Sequence, residues 1–279
     1  MDITTVTSFR AARTRADLAL AAGERFIAGG TWLMSEPQPD TTGFVDLTTM
    51  GWPDIELDEQ GLRIGATCTI ARLLAWAEGR ATDLPAVPAD WRAIEMIPNA
   101  ANALLASFKI WNTATVGGNL CQTFAAGSMI SFAVALDGVA VVWTPDGGER
   151  RLPVAELPTG NGTNILTRGE VLRAIEIPAR TLRSRALLRK IALAELGRSG
   201  AVVTGRLDAD GRATFAITAA TGTPTVRRFD TIPDAATLAA SVLAADGYYT
   251  DPLGEADWRR GVSAELAERI RRALEEDAT

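Results

Sequence analysis

Two glycine pairs are the residues in this chain best suited to chemistry on a ligand. The first closes an apolar strand, in Phe26-Ile27-Ala28-Gly29-Gly30-Thr31-Trp32-Leu33, and the second lies in Thr115-Val116-Gly117-Gly118-Asn119. Strand, glycine turn and hydrophobic run is the local geometry that presents backbone N–H groups to an anion. Glycine is needed there because a Cβ would block the approach or forbid the dihedrals. Each turn also carries a hydroxyl, Thr31 or Thr115, that can donate to a phosphate oxygen. Either pair alone reads more simply as a tight turn without a ligand. Together they suit the pyrophosphate of a dinucleotide. Neither has the G-x-G-x-x-G spacing of a Rossmann turn, so a nicotinamide-type crossover is not indicated.

Other chemistries are excluded by absence. With no histidine in 279 residues, Ser-His-Asp hydrolysis, histidine general-base chemistry and histidine-ligated zinc or haem are ruled out. The two cysteines, Cys68 and Cys121, are too few for an iron–sulfur cluster, which usually takes four thiolates. They read as small buried hydrophobes without a disulfide. A net charge of −6, with arginines scattered among acids, argues against a nucleic-acid surface. The chain is 47% hydrophobic at a mean hydropathy of +0.08. No run approaches the ~18 apolar residues of a membrane span, and the start lacks a signal-peptide layout. A cytoplasmic protein is expected.

The elements that must position the glycine turns can be read from pattern. A strand near Thr5–Phe9 leads to an amphipathic helix over Arg13–Ala22, with Gly23 as its C-cap. GFVDL gives a further strand, and IELDEQGLRIGAT a hairpin turning at Glu59-Gln60-Gly61. Thr69 caps a helix through Glu78, and another helix spans Asp90–Ser107 before the second glycine pair. GSMISFAVALDG is a buried helix entering the strand VAVVWTP. The stretch from Arg151 to Gly169 is loop-like and holds the expected domain boundary. Beyond it a three- or four-stranded antiparallel sheet is expected, with a hairpin turn at Asp210-Gly211 and helices near Asp234–Ala245 and Ser263–Glu276. The last of these puts Leu266, Ile270 and Leu274 on one face.

Three motifs in this order carry a resemblance: Ala28-Gly29-Gly30-Thr31, Thr115-Val116-Gly117-Gly118-Asn119, and Gly169-Glu170-Val171-Leu172-Arg173-Ala174-Ile175-Glu176-Ile177-Pro178. Over nearly its whole length the chain is similar to the FAD-binding (medium) subunit of the xanthine dehydrogenase and carbon monoxide dehydrogenase family of molybdenum hydroxylases. The resemblance implies an α+β, vanillyl-alcohol-oxidase-like (PCMH-type) FAD-binding domain over 1–160, in two subdomains of about 1–55 and 56–160. A C-terminal antiparallel sheet covered by helices would follow over 161–279. By the same likeness Phe26 to Leu33, hence Ile27, Ala28, Gly29, Gly30, Thr31 and Trp32, would line flavin and pyrophosphate. Thr115, Gly117, Gly118 and Asn119 would hold phosphates, Leu172 would pack near the ring, and Lys190 would sit close to the flavin, stabilising its anionic reduced form. Electrons would arrive from iron–sulfur clusters on a two-iron two-sulfur small subunit, beside a large subunit with a molybdenum cofactor, in a dimer of heterotrimers. They would leave to NAD, oxygen or a quinone.

The chain departs from the family pattern at three places. Ser128 stands where an aspartate commonly holds sugar hydroxyls, Trp111 where an arginine often precedes the second loop, and Trp32 where an acidic or polar residue follows the first. Both tryptophans could stack on an aromatic ring or simply pack. Two other readings stay open: a flavin-free scaffold subunit of the same assembly, and a stand-alone FAD-dependent reductase.

Overall fold

The computed structural model describes residues 4–104, 108–194 and 197–276. Three parallel strands open the chain: β1 (Ser8–Ala11), β2 (Glu24–Ile27) and β3 (Gly43–Asp46), with β3 in the middle. The helix expected over Arg13–Ala22 is instead a single 3-10 turn at Arg15–Leu18. A local cap starts this turn, and a contact from β1 takes carbonyls that would continue it as a helix. The Asp17 carboxylate accepts from the N–H groups of Arg13 (2.9 Å) and Thr14 (2.7 Å), and Arg10 donates to the carbonyls of Asp17 and Ala19. Gly23, at φ +75°, turns the chain into β2 and caps no helix.

The second unit begins with a hairpin of β4 (Ile55–Leu57) and β5 (Gly61–Gly65), turned by the Asp58 carboxylate accepting from Gln60 and Gly61 N–H at 2.8 and 2.9 Å. Helix α1 (Ile70–Ala77) starts as the sequence predicts, with the Thr69 hydroxyl accepting from Arg72 N–H at 3.1 Å. The helix expected over Asp90–Ser107 is broken into a 3-10 turn (Arg92–Met96) and α2 (Ile97–Ala103), and its last residues, 105–107, lie outside the described ones. Then come α3 (Phe108–Trp111), α4 (Val116–Gln122), α5 (Ser128–Ala135), β6 (Val139–Trp143), β7 (Glu149–Pro153) and a short hairpin of β8 (Pro158–Gly160) and β9 (Thr163–Asn164).

Strand β10 (Val171–Pro178) returns to the centre of an antiparallel sheet ordered β4-β5-β10-β6-β7. It has neighbours on both edges and its apolar run is almost wholly buried. The division expected at residue 160 therefore cuts this sheet. The chain changes sheets at Arg183-Ser184, after α6 (Ala179–Leu182).

The C-terminal part is an antiparallel meander of β11 (Arg185–Ala192), β12 (Ser199–Leu207), β13 (Ala213–Thr218) and β14 (Thr225–Phe229), covered by α7 (Ala235–Leu243) and α8 (Ala256–Glu276). Strand periodicity splits its side chains between two cores. Ala201, Val203, Phe215 and Ile217 pack with Leu238, Val242, Leu266, Ile270 and Leu274 of the helices. Leu188, Val202 and Ala216 join the core of the second unit. Helix α5 lies against β12 and β13, and every one of its eight residues is buried. That is why its sequence is apolar on all sides rather than along one stripe. Its C-terminal end is tied to the sheet by Arg206, which is 2% exposed and donates to Ala135 O (2.7 Å), Asp137 (2.8 Å) and Asp208 (2.7 Å). The Ser131 and Thr218 hydroxyls meet at 2.6 Å across the same seam. The architecture is the α+β arrangement expected.

Candidate functional site

A cavity of about 820 Å³ opens where the turn after β2, the start of α4 and the segment entering β10 come together. It is in the upper part of the ~300–1,000 Å³ range of cofactor sites. Ala28, Gly29, Gly30, Thr31, Trp32, Leu33, Thr115, Gly117, Gly118, Asn119 and Leu172 all line it. Three candidates do not. Ile27 is buried beneath at the end of β2, and Ser128 is wholly buried as the first residue of α5. Lys190, on β11, donates from Nζ to Asn102 O at 3.2 Å.

The two glycine loops differ in what they can offer. In the first, the N–H groups of Gly29, Gly30, Thr31, Trp32 and Leu33 have no acceptor among the described residues. Gly30, at φ +65°, turns this run, and Met34 N–H closes it from behind on Gly30 O at 2.8 Å. Successive donors without acceptors at the wall of a cavity form an anion cradle. In the second loop the donors are engaged. Val116 N–H bonds Cys68 O (2.8 Å), Gly117 N–H bonds Ala66 O (2.9 Å), Gly118 N–H bonds the Thr115 hydroxyl (3.0 Å) and Asn119 N–H bonds Thr115 O (3.0 Å). This loop contributes a smooth surface: a Cβ on Gly117 would lie 2.5 Å from that of Ala66. The Thr115 hydroxyl, having accepted from Gly118, keeps its own proton to donate.

The electrostatics favour an anionic guest. Glu24 and Glu170 line the cavity, but each is neutralised. Hydrogen bonds from Arg10 and from Ala21 N–H hold the Glu24 carboxyl at about 2, and Arg150 at 2.6 Å, with Thr167 N–H, holds Glu170 at about 2. Two lining cations, Arg25 and Arg168, make no close ion pair among the described residues, although the charge of Arg168 helps to keep Glu24 ionised. Arg168 is anchored by donation to the carbonyls of Ala21 and Glu24. Burial pushes the Cys121 thiol, also on the wall, up to about 12, so it stays protonated and is no nucleophile. Among the described residues no cluster of acids and cysteines could hold a metal ion.

Sequence reasoning missed Thr67, Phe124, Asn164 and Arg168 as lining residues. Asn164 lies in the stretch read as a loop at a domain boundary. It ends the short strand β9, and its side chain donates to Cys121 O (2.7 Å) and accepts from Leu166 N–H (2.9 Å), so side-chain bonds fix the wall where the hairpin stops. The asparagines of Asn161-Gly162-Thr163-Asn164 were the available signal.

A cradle of this kind is suited to the pyrophosphate of a dinucleotide. The model of the family described as the FAD binding domain in molybdopterin dehydrogenase matches residues 6–180, ending within α6. A search of curated proteins returns no match. Among solved structures, the chain is similar to quinoline 2-oxidoreductase from Pseudomonas putida 86, at 20% identity and a TM-score of 0.78, covering 96% of this chain and 97% of that one. It is similar to a carbon monoxide dehydrogenase from Hydrogenophaga pseudoflava, at 16% and 0.78 over 96% and 97%. It is also similar to a Cu,Mo-CO dehydrogenase in its cyanide-inactivated form, at 19% and 0.81 over 96% and 98%. At these identities the likeness is one of fold, the PCMH-type fold expected. With the family model spanning well over half of it, the chain belongs to the family of FAD-binding domains of molybdopterin dehydrogenases.

Proposed function

We propose that this chain is the electron-transfer flavoprotein subunit of a molybdenum hydroxylase, taking electrons from iron–sulfur clusters on a partner and passing them to NAD, oxygen or a quinone. The observation that carries the reading is the run of five N–H groups without acceptors, Gly29 to Leu33, in the wall of a dinucleotide-sized cavity of a chain from this family. Bound FAD supplies a centre that accepts electrons singly and releases two. The residues of the chain bind and orient it. The N–H groups of Gly29–Leu33 hold the pyrophosphate, the Thr115 hydroxyl donates beside them, and Arg25 and Arg168 balance the charge. Ala66, Leu104 and Leu172 exclude water from the cavity.

The partners proposed are a molybdenum-cofactor large subunit and a two-iron two-sulfur small subunit. Two cysteines are too few for a cluster, so such clusters would belong to another chain. No helix among the described residues is long and apolar enough to cross a membrane. We further place the FAD-binding domain at about residues 1–182, with the C-terminal domain after it.

The test is a visible absorption spectrum of the purified chain with thermal melts at increasing FAD. Flavin bands, or a stabilisation of about 2.7 kcal/mol at a hundredfold excess over Kd, are expected. A colourless protein whose melting is indifferent to FAD, alone and with its partner subunits, overturns the reading.

A further inference from the structure

Trp32 and Phe124 come from separate segments, the turn after β2 and the second residue past the end of α4, yet meet on the cavity wall. Their ring centroids are 5.9 Å apart at 62°, an edge-to-face pair. Both are only half-buried, and neither belongs to a hydrophobic core cluster. Core packing therefore does not account for two large aromatic side chains at this place. Arg198, just ahead of β12, sets its guanidinium 5.9 Å from the Phe124 ring and has no carboxylate or hydrogen-bond partner among the described residues.

The cavity has a second, differently equipped group. Arg168 donates to the carbonyls of Ala21 and Glu24, and Glu170 N–H bonds Thr167 O, so the lining residues Glu24, Thr167, Arg168 and Glu170 make a charged and polar stretch of wall. A flavin dinucleotide has two matching parts. Sugars and phosphates need donors and charge, whereas the three-ring isoalloxazine is a large flat surface with an apolar dimethylbenzene edge.

We propose that Trp32 and Phe124 form an aromatic corner that seats the isoalloxazine ring, with Arg198 as a cation held at that corner. The inference rests on the reading of this cavity as the FAD site. Arg198 does not itself line the cavity, and through the Phe124 ring its guanidinium favours negative charge on the reduced flavin, a role the family resemblance implies for Lys190, whose Nζ donates to Asn102 O. Trp32 occupies a position where the family pattern is acidic or polar, so the corner is a property of this chain.

The experiment titrates the full chain and its Trp32→Phe, Phe124→Leu and Arg198→Gln variants with FAD and with FMN, following flavin emission. An indole against the ring quenches emission, so Trp32→Phe is expected to brighten bound flavin severalfold. Phe124→Leu is expected to weaken FAD and FMN alike by roughly tenfold, and Arg198→Gln to lower the potential of bound flavin while leaving affinity for the oxidised form within about twofold. Unfolding of the flavin-free variants checks that they fold. Unchanged emission and affinity, or a loss confined to FAD with FMN unaffected, overturns the corner, the latter because adenine would then be its occupant. An unchanged potential in Arg198→Gln removes the cation from it. If the unmodified chain binds neither flavin, alone or with its partner subunits, the FAD reading falls and the inference with it.

Discussion

The backbone of Gly29 rests on the carbonyl oxygen of Thr113: a Cβ at Gly29 would lie 1.9 Å from that oxygen and 2.7 Å from its carbon. The first glycine loop is thereby seated on the segment leading to the second, and the gap between them is set by backbone, which cannot step aside as a flexible side chain can. Gly29→Ala is expected to force the loops apart, with a loss of about 1–3 kcal/mol in folding stability. At least a tenfold weakening of FAD should accompany it, each factor of ten being about 1.4 kcal/mol. Flavin content per folded chain and urea unfolding measure the two effects separately.

Gly118 is crowded differently. A Cβ there meets only the Thr115 hydroxyl, at 2.8 Å. Gly118→Ala should therefore be tolerated with a modest loss as the threonine shifts. Gly118→Asp sets a carboxylate beside the pyrophosphate site and is expected to abolish FAD binding by repulsion in a chain that still folds. Normal flavin content in that variant would refute the placement of phosphate at this loop.

Acid should weaken the cavity in a defined window. Glu24 and Glu170 have carboxyl groups held at about 2 in the folded chain, against an ordinary 4.5, by Arg10 and Arg150. A depressed carboxyl contributes stability that is fully present above its unfolded value and is lost as pH falls through the folded one. Thermal melts are expected to be flat down to about pH 5 and to fall between about 4.5 and 2, less steeply in Glu24→Gln. With no histidine, no inflection should appear between about pH 6 and 7.

Arg206 joins α5 to the C-terminal sheet through a network whose removal leaves charge behind. Its side chain is 3% exposed, and without it Ala135 O loses its donor while Asp137 keeps, among the described residues, the exposed Arg180 and Arg228. Burial opposes ionisation of Asp137, but Arg206 and Arg228 outweigh it and hold the carboxyl below its usual range. Arg206→Ala is expected to cost about 3–5 kcal/mol, read as a lower urea midpoint at an unchanged slope. Asp137→Asn should cost less, since asparagine tolerates the residue's φ of +53° and keeps an acceptor.

What the sequence made legible is what local chemistry decides. Thr69 caps its helix, Asp58 turns its hairpin, and the unbroken apolar run of α5 marks a helix covered on every side. Long-range contacts hid the rest. Nothing local says that the carbonyls of Asp17 and Ala19 bond Arg10, which dissolves the helix expected there. The last helix begins at Ala256 rather than Ser263 because Arg259, polar in sequence, is fully buried and donates to Ala219 O at 2.7 Å. At the site, glycine spacing found both loops but could not say which one kept its donors, because the partners of Val116 and Gly117 are the carbonyls of Cys68 and Ala66, far back in the chain.

The late arrival of β10 orders the birth of the molecule. Until Val171–Pro178 has been synthesised, the β4-β5 and β6-β7 hairpins have no strand between them, and each shows the other an open edge. The same segment carries Leu172 into the cavity wall directly behind Arg168 and Glu170. Both glycine loops leave the ribosome well before this happens, so the nascent chain holds two walls of its cavity without the lock that completes it. Cofactor capture must wait for the pairing of most distant partners in the sheet, a slow step by topology and the one at which misassembly of a growing chain is most to be feared.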